Sequence, residues 1–228
     1  MSDDLVFLFD VDNTLLDNDR VTADLRSHLA ADFGADSAER YWTLFEGLRR
    51  ELGYADYLGA LQRYRGDAEA GGADKRKLLL QLSNWMVDYP FADRLYTGAL
   101  DAIAHVRRFG PAVILSDGDV VFQPRKVQRS GLWDAVDGRV LIFIHKEQML
   151  SEVEQAYPAQ RYVMVDDKLR ILAAMKQIWG ERLVTVFPRQ GHYALDPAIV
   201  AQYPAADVTL ERIGALVDVD IAALSGTR

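Results

Sequence analysis

"LVFLFDVDNTLL" (residues 5–16) carries five consecutive apolar residues straight into Asp10 and Asp12, spaced one residue apart. A short apolar run that ends in turn chemistry reads as a strand buried on both faces of a sheet. Two carboxylates at the end of such a strand make each other harder to ionise, so something must offset their repulsion. An apolar strand has no structural need of them. Asp10 and Asp12 are therefore candidate functional residues.

The same strand pattern recurs at residues 112–115, 162–165 and 183–187, and helical patterns occupy 98–109, 123–129, 147–156 and 169–179. Buried strands alternating with helices predict an α/β fold, a Rossmann-like doubly wound parallel sheet. "RVLIFIH" (residues 139–145) reads as a further extended segment, either an edge strand or a flap. Residues 16–92 differ: "TADLRSHLAADF", "AERYWTLFEGLRREL", "YLGALQRYR" and "DKRKLLLQLSNWMVDY" are apolar at helical spacing. The breaks between them, "GAD", "GYAD" and "GDAEAGGAD", are loop chemistry. The expected organisation is a core domain over 1–15 and 93–228, with an all-helical domain inserted at 16–92 after the first strand.

Composition narrows the function. The chain has 228 residues, half of them hydrophobic, and no cysteine. Disulfides, thiolate metal sites and cysteine nucleophiles are excluded. A net charge of −8 without a long Lys/Arg run disfavours nucleic-acid binding. "MSDDLVFLFD" lacks a basic segment before its apolar run, which is too short for a signal peptide or a membrane span. A soluble, cytoplasmic protein, monomer or homodimer and without membrane partners, is expected.

In an open parallel sheet, ligands bind beyond the carboxyl ends of the strands. "ILSDGD" brings Ser116 and Asp117 to the edge that already holds Asp10 and Asp12, and "VMVDDK" adds Asp166 and Asp167. A divalent cation would offset this crowding, and an oxygen-only donor set suits Mg²⁺. Asp117 and Asp119 also read as caps of the helix that follows. "DVDNTL" is not a calcium loop, because Leu15 stands where that loop needs glycine and Val21 where it needs glutamate.

"FDVDNTL" resembles the first motif of the haloacid dehalogenase-like (HAD) hydrolase superfamily. Ser116 resembles its second motif, Lys146 its third, and Asp166 with Asp167 its acidic fourth; the helical segment stands in the place of the family's first-type cap. The resemblance implies a Mg²⁺-dependent phosphatase acting on a small phosphorylated metabolite. Asp10 would be the nucleophile and Asp12 the general acid and base. Metal would be held by Asp10, the Asp12 backbone carbonyl and Asp166, with Asp167 assisting directly or through water. Ser116, Asp117 and Lys146 would contact the phosphoryl group. Many relatives follow the third-motif lysine with proline, whereas here Glu147 follows Lys146, so Lys126 and Lys168 stay in play as that lysine. Members that displace halide usually lack an aspartate at the position of Asp12, so its presence favours phosphoester hydrolysis. A phosphomutase, a 2-haloacid dehalogenase and a non-catalytic phosphate-binding protein are the alternatives.

Weaker signals remain. Trp42 and Phe45 at helical spacing read as core. Arg49, Arg50, Arg63 and Arg65 read mostly as solvated helix faces, although one near a phosphate site could grip a second anionic group on the substrate. Arg189 and His192 follow the last recognisable strand and could reach the site rim. His28, His105 and His145 lack metal-ligand spacing.

Overall fold

The computed structural model describes residues 3–68 and 73–221. The predicted break at 66–74 includes residues 69–72, which lie outside that set. Six parallel strands form one sheet in the order β3-β2-β1-β4-β5-β6: β1 (Asp3–Phe9), β2 (Ala112–Asp117), β3 (Val140–Phe143), β4 (Ala159–Val165), β5 (Leu183–Pro188) and β6 (Val208–Leu210). The fold is α/β, as the alternation of strands and helices predicts, and residues 139–145 contain the edge strand β3.

Side-chain alternation explains why β1 is apolar from Leu5 to Phe9. Phe7 and Phe9 pack on one face with Ile114, Val163 and Val165, while Val6 and Leu8 pack on the other with Val113, Leu115 and Met164. Helices cover both faces, so neither set of side chains can be polar. The first face receives α5 (Ala99–Val106), α6 (Phe122–Arg129) and α7 (Leu132–Ala135). The second receives α8 (Leu150–Ala156) and α9 (Leu169–Trp179).

Between β1 and the 3₁₀ turn Phe91–Arg94 the regular elements among the described residues are all helices: α1 (Asn18–Phe33), α2 (Ala35–Leu52), α3 (Tyr57–Ala68) and α4 (Ala73–Asp88). On α2 the buried positions Ala38, Tyr41, Trp42, Phe45 and Leu48 recur every three or four residues, as a one-sided helix requires. Gly53 ends α2 in the left-handed conformation at φ 79°, where glycine alone is unstrained. The two chain crossings are tied together, since Leu16 bridges Leu95. The apolar packing is continuous across them: rings run from Phe45 to Tyr57 to Phe122 at 4.7 and 5.4 Å between centroids. After β5 come α10 (Gly191–Leu195) and α11 (Pro197–Val200). No helix among the described residues is long and apolar enough to cross a membrane.

Candidate active site

Register places the acidic residues. Phe9 pairs with Ile114 of β2 and with Val165 of β4. One residue further on, Asp10 and Asp166 therefore stand level on neighbouring strands, and the Asp10 amide donates to the Val165 carbonyl at 3.0 Å. This is where the strand order reverses direction, the crevice at which open sheets bind ligands.

The turn after β1 is built by its own polar residues. Asn13 sits at φ 63°, a left-handed conformation that asparagine tolerates. Its Oδ1 accepts from the Asn18 and Asp19 amides at 3.0 and 3.1 Å, which satisfies the first turn of α1. Thr14 Oγ1 accepts from the Asp167 amide at 3.0 Å, and the Thr14 carbonyl accepts from Gln190 at 2.7 Å. Gly191 packs so closely here that a Cβ would lie 2.4 Å from that of Asn13. The strand ends of β1, β4 and β5 are thus locked to one another around the carboxylates.

Asp10, Asp166 and Asp167 are 3%, 0% and 1% exposed. Their nearest oxygens all lie within 4.8 Å of one another. Lys146 is equally buried and donates to Asp10 Oδ1 at 2.5 Å, with Asp166 Oδ2 at 2.7 Å. Burial works against the lysine's charge, but the carboxylates of Asp10, Asp166 and Asp117 outweigh it and hold the ammonium protonated. Lys146 in contact and Lys168 at longer range leave the three carboxylates short of full compensation. Burial raises the Asp166 carboxyl to about 6, opposed by Lys146 and aided by Asp10. Burial also drives Asp167 well above the usual carboxylate range, with Lys168 opposing and Asp166 adding to the rise. Asp10 Oδ2 and both carboxylate oxygens of Asp167 are inaccessible and have no hydrogen-bond partner. Orphaned buried oxygens at this density are costly, and a hard cation among them supplies the missing charge and coordination. The residues therefore fit a metal ion.

Asp12 is placed differently. Its side chain is 25% exposed, and Oδ1 accepts from the fully buried Lys126 at 2.6 Å. Its carboxylate lies outside the three-residue cluster and lines a cavity of about 400 Å³. The three candidate lysines thereby separate: Lys146 on Asp10, Lys126 on Asp12, and Lys168 at the cavity wall.

Ser116 is buried, and its hydroxyl accepts from Gln123 Nε2 at 2.9 Å. Asp117 turns its carboxylate to the Lys146 amide at 2.8 Å, fixing the turn that carries the lysine. Burial raises its carboxyl despite Lys146. Of the two residues read as caps, Asp119 does cap, accepting from the Val121 and Phe122 amides at 2.8 and 2.7 Å. Glu147, the departure from the family's proline, is ion-paired with Arg170 of α9 at 2.8 Å. It ties the Lys146 turn to the helix that follows Asp166 and Asp167. Lys146 itself opens a 3₁₀ turn (Lys146–Gln148) rather than a regular helix. Sequence reasoning missed Gln123 and the role of Asn13 as a local cap; the second is foreshadowed by the Asn-Thr pair directly after the acidic motif. His192 pairs with Asp19 at 2.6 Å, joining α10 to α1.

The family model of the haloacid dehalogenase-like hydrolases matches residues 5–178. The chain belongs to this family. As a HAD-like hydrolase it is an enzyme. A haloacid dehalogenase-like hydrolase from Burkholderia xenovorans LB400 is similar in structure at 65% identity and a TM-score of 0.89, covering 96% of this chain and 99% of that one. The magnesium-bound HAD hydrolase YfnB of Bacillus subtilis is similar at 20% identity and a TM-score of 0.61, over 95% of this chain and 98% of its own. The L-2-haloacid dehalogenase of Xanthobacter autotrophicus is similar at 16% identity and a TM-score of 0.63, over 100% of both chains. The last two show a shared fold. No curated protein sequence matches the chain significantly.

Proposed function

We propose that this HAD-like hydrolase is a Mg²⁺-dependent phosphatase that cleaves a small phosphomonoester through an aspartyl-phosphate on Asp10. The observation that carries this reading is Asp12: a carboxylate at the cavity wall, two residues beyond a buried carboxylate with an unpartnered oxygen. A halide departs without a proton, whereas an alkoxide needs one. A chain that only displaced halide would have no use for an acid there.

In this reading an Asp10 oxygen attacks phosphorus, and the bond from phosphorus to the ester oxygen breaks. Asp12 gives its proton to the departing oxygen, so an alcohol leaves. The Asp12 carboxylate then takes a proton from water, whose oxygen attacks phosphorus. The bond to Asp10 breaks, inorganic phosphate leaves, and both carboxyl groups return to their starting states. Lys126 orients Asp12 through both half-reactions, and Lys146 holds the Asp10 oxygen that does not attack. Ser116 and the Lys146 ammonium contact phosphoryl oxygens, with Gln123 fixing the Ser116 hydroxyl. Mg²⁺ would be held by Asp10, Asp166, the Asp12 backbone carbonyl and Asp167, and when bound it neutralises charge between two anionic reactants. The helices over 16–92 act as a cap that closes on the substrate and keeps bulk water out, which favours metabolites over phosphoproteins.

The purified protein, assayed for phosphate release from an alkyl phosphomonoester and chloride release from 2-chloropropionate, tests this directly. The expected result is phosphate release that EDTA abolishes and Mg²⁺ restores. Chloride release with no phosphate release would assign dehalogenation instead.

A further inference from the structure

The cavity at the strand ends holds cations that the phosphoryl chemistry does not use. Arg49, in the last turn of α2, donates to the Tyr193 hydroxyl of α10, and its guanidinium carbon lies 5.9 Å from the centre of that ring. Lys168 Nζ lies 5.1 Å from the same ring centre. All three residues line the cavity. Two cations therefore gather around one aromatic ring, where their mutual repulsion opposes the attraction each has for the π system.

The other cations at this site are spoken for. Lys146 and Lys126 hold Asp10 and Asp12 at 2.5 and 2.6 Å, and Arg170 pairs with Glu147 at 2.8 Å. Lys168 makes no ion pair within 4 Å among the described residues; burial works against its charge, and the carboxylates of Asp167, Asp10 and Asp166 support it from longer range. Arg49 has only Glu46, at 3.7 Å and 53% exposed, a pairing that solvent weakens. Tyr54, Tyr57 and Phe122 add aromatic wall to the same cavity. A space of about 400 Å³ suits a compact organic body rather than a polymer.

We infer that Arg49 and Lys168, arranged around Tyr193, form a second anion subsite. The substrate is then a phosphomonoester whose compact, partly apolar body carries a further anionic group, a carboxylate or a second phosphate. Arg49 is the specificity residue of that subsite, since its planar fork can donate two parallel bonds to either group. The inference rests on the phosphatase reading for the ester end of the substrate.

Non-hydrolysable phosphonates separate the two. Benzylphosphonate bearing a 4-carboxylate, a 4-carboxamide or a second phosphonate would be titrated into the Mg²⁺-loaded protein by calorimetry. The matching 4-carboxyphenyl and 4-carbamoylphenyl phosphates would be assayed for turnover. The wild type is expected to bind a doubly anionic probe at least ~10-fold more tightly than the carboxamide. The stronger of the carboxylate and the phosphonate identifies the second group. In Arg49→Gln that ratio should fall towards one, and Arg49→Lys should recover part of it. Equal wild-type affinity for all three probes overturns the subsite, even if both esters are hydrolysed. A ratio that survives in Arg49→Gln removes Arg49 from it. Preference in binding without turnover of either ester would keep the subsite and count against the phosphatase reading.

Discussion

The strand ends and the helical segment over 16–92 both use ion pairs of similar length, yet these pairs do different things. Lys146 reaches Asp166 at 2.7 Å with both side chains out of water, while Arg63 reaches Glu51 at 2.8 Å with both side chains about half exposed. Distance does not distinguish them; solvent does. An exposed pair exchanges water for a partner at little net gain, whereas a buried lysine among three carboxylates cannot be removed without stranding charge. The rigid sheet edge holds chemistry that costs stability, and the helical segment contributes walls and exposed charge that can vary at little cost.

Several substitutions test that contrast. The largest effect belongs to Asp10→Asn, which keeps the shape but offers a very poor nucleophile; phosphatase activity should fall to background while the circular dichroism spectrum is unchanged. Full activity in that variant would remove the covalent route. Next, Lys146→Met in metal-free protein should lose about 3–5 kcal/mol in denaturant unfolding, because it leaves buried carboxylates unpaired. A loss of less than ~1 kcal/mol would mean that the strand-end charges are not interdependent.

A pH effect of intermediate size follows from Asp166, whose carboxyl stands near 6 through burial, against about 3.9 in an unfolded chain. Between those values the folded, metal-free protein keeps a proton that the unfolded chain has lost. This group's contribution to stability therefore declines as pH rises through about 6, and Asp167 pulls in the same direction. Metal binding needs the ionised carboxylates, so the rise in Tm given by Mg²⁺ should be larger at about pH 7.5 than at about pH 5. A rise independent of pH would contradict the burial argument. The smallest effect should come from Arg63→Ala on the helical segment, within about 1 kcal/mol in the same unfolding experiment.

The contrast also explains what could be read from the chain alone. β1, β2, β4 and β5 were legible because strands covered on both faces must be apolar, and the motif carboxylates stand out where such runs end. β6 is a three-residue strand, and α7, α10 and α11 are four or five residues long, too short for any period to register. Within the site, the identity of the acidic residues was legible and their partners were not. That Lys126 engages Asp12 and that Asp117 anchors the Lys146 turn depend on how distant segments meet, and that Gln123 holds Ser116 depends on how α6 folds back on the end of β2. Arg49 illustrates the same limit. In sequence it is one of several arginines on a helix, and only its approach to Tyr193, far along the chain, sets it apart.

Trapping the phosphorylated enzyme separates the role of Asp10 as nucleophile from that of Asp12 as acid and base. Asp12→Asn mixed with p-nitrophenyl phosphate and Mg²⁺ should give a burst of nitrophenolate, a leaving group that needs no proton. Slow turnover should follow, reduced by ~10²–10⁴-fold, because breakdown lacks its base. Mass spectrometry of the quenched protein should find the phosphoryl group on the peptide that contains Asp10. No burst and no phosphorylated Asp10, with alkyl phosphate turnover undiminished in this variant, would remove both residues from these roles.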